Sequence, residues 1–395
     1  MAKLKDIFEL QITGEWGKEC DENEEGIKIL RTTNFTPEGV INYNNTVIRC
    51  IDKSKVEKKK LCCGDIILEK SGGTEKTPVG RVVFCDDLIE NEAYLCNNFT
   101  QAMRVNRVIA VPKYVFYFMW YLHYSGKTDL LQNKTTGIRN LQIKSYLDEK
   151  IPLPPLDEQR KIAAVLDKVS DLIVKRHQQL DKLDLLIKSK FVEMFGEPDE
   201  NPMHWQEDEL SNHLEVIGGY AFKSDRFTDE GIPVLRIGNI NSGHFLPVNM
   251  VYWPEDSALI RYKVFPGDLV MSLTGTVGKD DYANVCILEA DYDEYYLNQR
   301  NAKLSIGADL NKYYFSELLK FPRIKKRLTG INRGVRQANI SNRDILTLRI
   351  PIPSMALQEQ FAAFIDQTNK SKLAIQKSLE KLETLKKALM QEYFG

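Results

Sequence analysis

A chain of 395 residues exceeds what one ordinary hydrophobic core organises, so two or more domains are expected. With 43% apolar and 28% charged residues it reads as a globular protein, and a net charge of −1 excludes a polyanion held by overall charge alone. MAKLKDIFEL lacks an apolar core followed by a cleavage site, and the most apolar run, residues 114–122, is far short of the ~20 a membrane span needs; a cytoplasmic location is expected.

Residues 1–150 read as a first globular domain. GDIILEK at Gly64 and RVVFC at Arg81 are strand-like runs between turn signals, and KYVFYFMWYL at Lys113 reads as a buried helix. Six of the seven cysteines lie here (Cys20, Cys50, Cys62, Cys63, Cys85 and Cys96), and the seventh is Cys286. No C-x-x-C pair occurs and the histidines are scattered, so free buried thiols are expected and a metal is not. Near the end of the domain, GKTDLLQNKTTGIRNLQIK is mildly basic. Within it Lys134, Thr136, Arg139, Asn140 and Gln142 are candidates for contact with nucleic acid.

Residues 151–196 open with IPLPPLDEQRKIAAVLD, and residues 350–395 open with IPIPSMALQEQFAAFID. The two align without a gap, through Pro152/Pro351, Gln159/Gln358 and Asp167/Asp366 to Phe195-Gly196 against Phe394-Gly395. This is an internal duplication. Prolines upstream and a glycine beyond the end bracket one long helix in each copy. Apolar residues recur in steps of four and three at Ile162, Leu166, Val169, Ile173, Leu180, Leu183 and Ile187. The second copy shows Phe361, Ile365, Ile375, Leu379, Leu382 and Leu389. That is the period of a coiled-coil seam, interrupted by Arg176 in one copy and by Thr368 and Lys372 in the other. About 40 residues at ~1.5 Å each give a rod near 60 Å, too long to bury its own apolar stripe, so two rods in one chain are expected to pair antiparallel, with pairing between chains or a plain spacer as the alternative.

Residues 197–349 repeat the landmarks of the first domain in order. GIPVLRIGNINSGHF answers GIKILRTTNFTPEGVI, pairing Arg236 with Arg31 and Asn239 with Asn34. PGDLVMSLTGT answers CGDIILEKSGGT, and NRGVRQANI answers TTGIRNLQI, a reading that pairs Arg336 with Arg139 and Ile340 with Ile143. Each globular copy is therefore expected to be α+β. TGTVGKDD at Thr274 fails as a phosphate loop, because Leu273 stands where glycine is required and Asp280 where a hydroxyl is required. NPMHW at Asn201 approaches a base-holding methyltransferase loop but lacks its second proline. No nucleophile, acid–base pair or cofactor loop is recognisable. The strongest functional signal is KFPRIKKRLTGINRGVR from Lys320, which carries seven cations and no acid. Lys325, Lys326, Arg327, Arg333 and Arg336 could neutralise phosphate or read guanine, and Gln337 and Asn339 could pair with adenine.

The duplicated Pro-x-Pro and Glu-Gln starts at 152–159 and 351–360, with the two rods ending in Phe-Gly, resemble the specificity subunit of type I restriction-modification systems along essentially the whole chain. Only Ser354-Met355-Ala356-Leu357 departs, where the first copy has Pro155-Leu156-Asp157-Glu158. The resemblance implies two target recognition domains, each reading half of a split DNA sequence, and a coiled coil that spaces the half-sites. It implies a chain without catalysis that binds double-stranded DNA and two adenine-N6 methyltransferase subunits, joined by endonuclease/translocase subunits. It also implies that S-adenosylmethionine, ATP and magnesium belong to those partners and not to this chain. Two other readings stand beside it: a coiled-coil scaffold that binds proteins, and a self-contained DNA methyltransferase or nuclease with unrecognised motifs.

Overall fold

The computed structural model describes residues 1–21, 25–75, 77–133, 137–276, 281–329 and 337–395. The chain forms two compact units, one of residues 1–179 with 375–395 and the other of residues 180–374.

In the first unit an antiparallel sheet takes the order Phe8–Thr13, Thr100–Val105, Ile66–Glu69, Val82–Phe84. Ile66, Ile67 and Leu68 are all buried, as a central strand covered on both faces requires. A second sheet orders Val47–Arg49, Ile27–Leu30, Tyr94–Cys96, with the last two parallel. A third joins Gln132–Asn133, Arg139–Leu141 and Ser71–Gly73. The helix Pro112–Tyr124 is hydrophobic nearly all round because it is buried nearly all round.

The second unit repeats this plan. Its antiparallel sheet orders Leu214–Gly218, Asn301–Ile306, Leu269–Ser272, Val285–Ile287. The parallel pair recurs as Ile232–Leu235 beside Tyr295–Leu297, and Thr274–Thr276 pairs with Gln337–Asn339. Lys312–Leu319 is the buried helix. Both globular parts are α+β, and the strand-like runs GDIILEK and RVVFC and the helix-like run KYVFYFMWYL all fall on such elements.

The rods are the helices Leu156–Phe195 and Met355–Phe394. Each unit holds the start of one and the end of the other. In the first, Ile162 and Leu166 share a core with Met390 and Phe394, whereas Ile173 and His177 lie with Glu383 and Lys386 across one cavity. In the second, Phe191 and Phe195 pack on Phe361, and Asp184 pairs with Lys372. Within each unit the segments therefore run antiparallel. Ile162, Leu166, Val169, Ile173, Ile187, Phe361 and Ile365 are buried as a seam requires, but Leu180, Leu183, Ile375, Leu379, Leu382 and Leu389 are only half-buried. A two-helix contact alone leaves a flank in water; burial is completed where a globular part packs as well.

The cysteine expectation needs correction. Cys20 and Cys50 form a disulfide, because the bridge between Lys18 and Cys50 lays their two segments side by side. Cys62 and Cys63 are half-buried, and only Cys85, Cys96 and Cys286 are buried free thiols. Burial and the Asp87 carboxylate push the Cys63 thiol up to about 11.

Candidate nucleic-acid interface

Most of the duplicated residues build the scaffold. Asn34 is buried, accepts from the Arg31 backbone N–H at 2.9 Å, and donates to the carbonyls of Asn42 and Asn44. Asn239 repeats this with Arg236, Leu246 and Val248. The Arg31 and Arg236 guanidinium groups then close their own loops on the carbonyls of Asn45 and Asn249. Gly64 and Gly267 turn at φ 94° and 87°, which frees Asp65 and Asp268 to accept a turn N–H and to pair with Arg104 and Lys303. These cations are consumed by the fold.

The basic stretch at Lys320 divides in the same way. Pro322–Thr329 is a helix on which Lys325 is 8% exposed and donates to Asn284 Oδ1 at 2.6 Å. That corrects its assignment as a DNA contact, because a buried, bonded ammonium cannot reach a phosphate. Arg327 is exposed and lies 3.3 Å from Asp199, donating also to the carbonyl of Arg349. Lys326 is exposed on the same helix. Lys134, Thr136, Arg333 and Arg336 lie outside the described residues, as does the side chain of Gln337.

Asn140 and Asn339 come to equivalent places, though not by the pairing read from sequence, and Arg139 precedes Asn140 on its strand. Leu141 N–H donates to the Lys70 carbonyl and Ile340 N–H to that of Leu273. Ser71 donates to Asn140 Oδ1, and Thr274 to Asn339 Oδ1 at 3.1 Å. Asn140 is therefore the counterpart of Asn339, and Leu141 of Ile340. Aligning Arg139 with Arg336 and Ile143 with Ile340 was two residues out of register, drawn off by the shared Gly-x-Arg. Gln142 is exposed and donates to Asn133 at 2.8 Å.

The small sheet carrying these residues meets a turn that the sequence reading passed over. In the second unit, Asn298, Gln299 and Arg300 link Tyr295–Leu297 to Asn301–Ile306 and so cross from one sheet to the other. Arg300 lines two adjoining cavities. One, of 540 Å³, includes Ser224, Arg236, Asn298 and Gln299; the other, of 350 Å³, includes Asn241, Thr274, Gly275 and Thr276. Arg300 is exposed and has no ion-pair partner among the described residues. Its only advance signal was a run of amides and a cation, LNQRN, straight after a buried strand. The lysine-rich helix Lys53–Lys59 was missed as well; there Lys55 and Lys59 pair with Glu15 at 3.5 and 2.8 Å.

Residues 1–184 and 202–387 match the type I restriction modification DNA specificity domain. The chain belongs to that family. DNA sequence recognition is accordingly its role. It is 27% identical over 277 residues to the type I restriction enzyme MjaVIII specificity subunit of Methanocaldococcus jannaschii, covering 66% of this chain and 64% of that relative. With the putative MjaX specificity subunit of the same organism it shares 22% identity over 406 residues, 99% of this chain and 91% of the other. Its fold is like that of the type I restriction-modification S subunit from M. genitalium, with TM-score 0.56 and 14% identity over 100% of this chain and 95% of that one.

The base-holding candidate NPMHW has a structural role. Asn201, read as a possible base-holding residue, accepts from Trp205 N–H, and the Trp205 indole donates to the Phe195 carbonyl at 3.0 Å. NPMHW thus fastens the end of a rod. Among the described residues no group of acids, histidines and cysteines is placed to hold a metal, and no helix is long and apolar enough to cross a membrane.

Proposed function

We propose that this specificity chain reads a bipartite DNA target, one half-site per globular domain, and contributes no catalytic group of its own. The observation that carries the reading is one scaffold built twice with unlike residues at its exposed turns, Phe99 in one copy and Arg300 in the other. Its partners are double-stranded DNA, two methyltransferase subunits, and endonuclease/translocase subunits. S-adenosylmethionine, ATP and magnesium act on those partners. Among the described residues no group of acids, histidines and cysteines favours the stand-alone enzyme reading.

Single-molecule methylation sequencing of the source genome, with and without this gene, tests the proposal. Loss of N6-methyladenine from one motif of two short half-sites around a fixed gap is the expected result. An unchanged methylome overturns it. Arg139→Ala is expected to weaken one half-site by about 1–3 kcal/mol if the guanidinium grips a guanine. Equal weakening on every sequence, with a flatter salt dependence of binding, would make it a phosphate contact.

A further inference from the structure

We propose that the turn linking the two sheets is a base-reading position in both domains, where Arg300 reads guanine in one half-site and Phe99 meets a thymine methyl in the other. The inference rests on the chain's being a DNA reader and deepens that reading.

The two positions are equivalent by their backbone bonds. The Arg300 carbonyl accepts from Leu273 N–H at 2.8 Å, as the Phe99 carbonyl accepts from Lys70 N–H at 2.9 Å. Asn298 N–H donates to Leu235, as Asn97 N–H donates to Leu30. A Cβ on Gly219 would stand 2.2 Å from the Asn298 carbonyl oxygen, and one on Gly14 would stand 1.7 Å from that of Asn97, so glycine is required where each turn is gripped. Each main chain is fixed while the side chain at its tip is left in solvent; Phe99 is 47% exposed. A fixed backbone with a free side chain is the preorganisation that base reading demands.

Chemistry then separates the copies. Arg300 is a planar fork of donors with no ion-pair partner among the described residues, and it lines two cavities, one of them beside Thr274, Gly275 and Asp281. Such a fork matches the O6 and N7 acceptors of guanine. Phe99 stands beside Gly72. An exposed ring has no donor to offer and recognises the thymine methyl by apolar contact. Two half-sites of different sequence follow from one scaffold.

The test is methylome sequencing of cells carrying the full chain with its methyltransferase partner, as wild type, Arg300→Ala, Arg300→Lys and Phe99→Ala. The wild-type motif should contain guanine in one half-site, and Arg300→Ala should relax that position alone, lowering discrimination roughly 5- to 150-fold. Arg300→Lys keeps the charge and loses the fork, so it should relax the same position while methylation elsewhere persists. Phe99→Ala should relax one position of the other half-site. Variants that leave the motif intact, or that lower methylation evenly on every sequence, overturn the inference while the reader role stands. A wild-type chain with no motif overturns the reader role itself.

Discussion

Gln358 shows how much one buried amide can hold. It is fully buried at the start of the second rod, where its Oε1 accepts from Asn311 N–H at 2.8 Å and its Nε2 donates to the Pro353 carbonyl at 2.8 Å. Gln159 makes the matching pair with Val111 N–H and Pro154, and Tyr314 and Tyr114 bond the carbonyls of Pro351 and Pro152. Gln358→Leu would leave a buried N–H and a carbonyl unpaired, at a cost of about 1–3 kcal/mol. Chemical denaturation followed by hydrogen exchange should locate the loss in residues 180–374, and unchanged protection there would refute it. The alignment of Gln159 with Gln358 was legible because both copies need the same clamp. The function of Arg31 and Arg236 was not legible: a cation that closes its own loop and a cation that faces DNA are the same letter. The register at Asn140 and Asn339 was lost for a related reason, since side-chain bonds across a sheet leave no trace in local spacing.

At the scale of the helix, Lys386 occupies the place in the second rod that buried Ile187 occupies in the first. It is 6% exposed, with its ammonium 4.3 Å from the Trp120 ring. Burial lowers its pKa from 10.5 to about 8, while Glu38, Asp167 and Glu383 oppose the shift and Lys113 adds to it. Between pH 8 and 10.5 the unfolded chain therefore binds more protons than the folded one, and stability rises with pH across that window. Below pH 8 the cost of the buried charge is fully present, on the order of 3 kcal/mol at most. Lys386→Ile should raise stability at pH 7 and flatten the slope between pH 8 and 10.5, as read by urea unfolding at several pH values; an unaltered slope would show that the amine is not the titrating group. The rods themselves were legible, because a four-and-three repeat keeps its apolar residues on one stripe only in a helix, and a stripe that long needs a second helix to cover it. Which turns of them are fully buried was not, since Met390 and Phe394 are sealed by Tyr114 and Phe118 of a globular part remote in sequence.

At the scale of the whole chain, the last 21 residues complete the unit that the first 179 begin. Phe394 packs edge-on against Tyr114 and Phe118 at 5.2 and 5.7 Å, and Tyr121 donates to Gln391 at 3.1 Å. Phe195 does the same work in the other unit, against Tyr314 and Phe361. The rod that follows each globular part thus seals the opposite one, and neither unit is finished by the segment that starts it. Phe394→Ala opens a cavity among aromatic rings that cannot collapse freely, at about 3–5 kcal/mol. Its effect should be confined to the first unit, because the residues that make up that core all belong to it. Hydrogen exchange should show lost protection in Pro112–Tyr124 and unaltered protection in Lys312–Leu319. Phe195→Ala should give the reverse pattern. Loss of protection in both helices from either change would mean that the two cores unfold as one, and the division of labour between half-sites would then need a different physical basis.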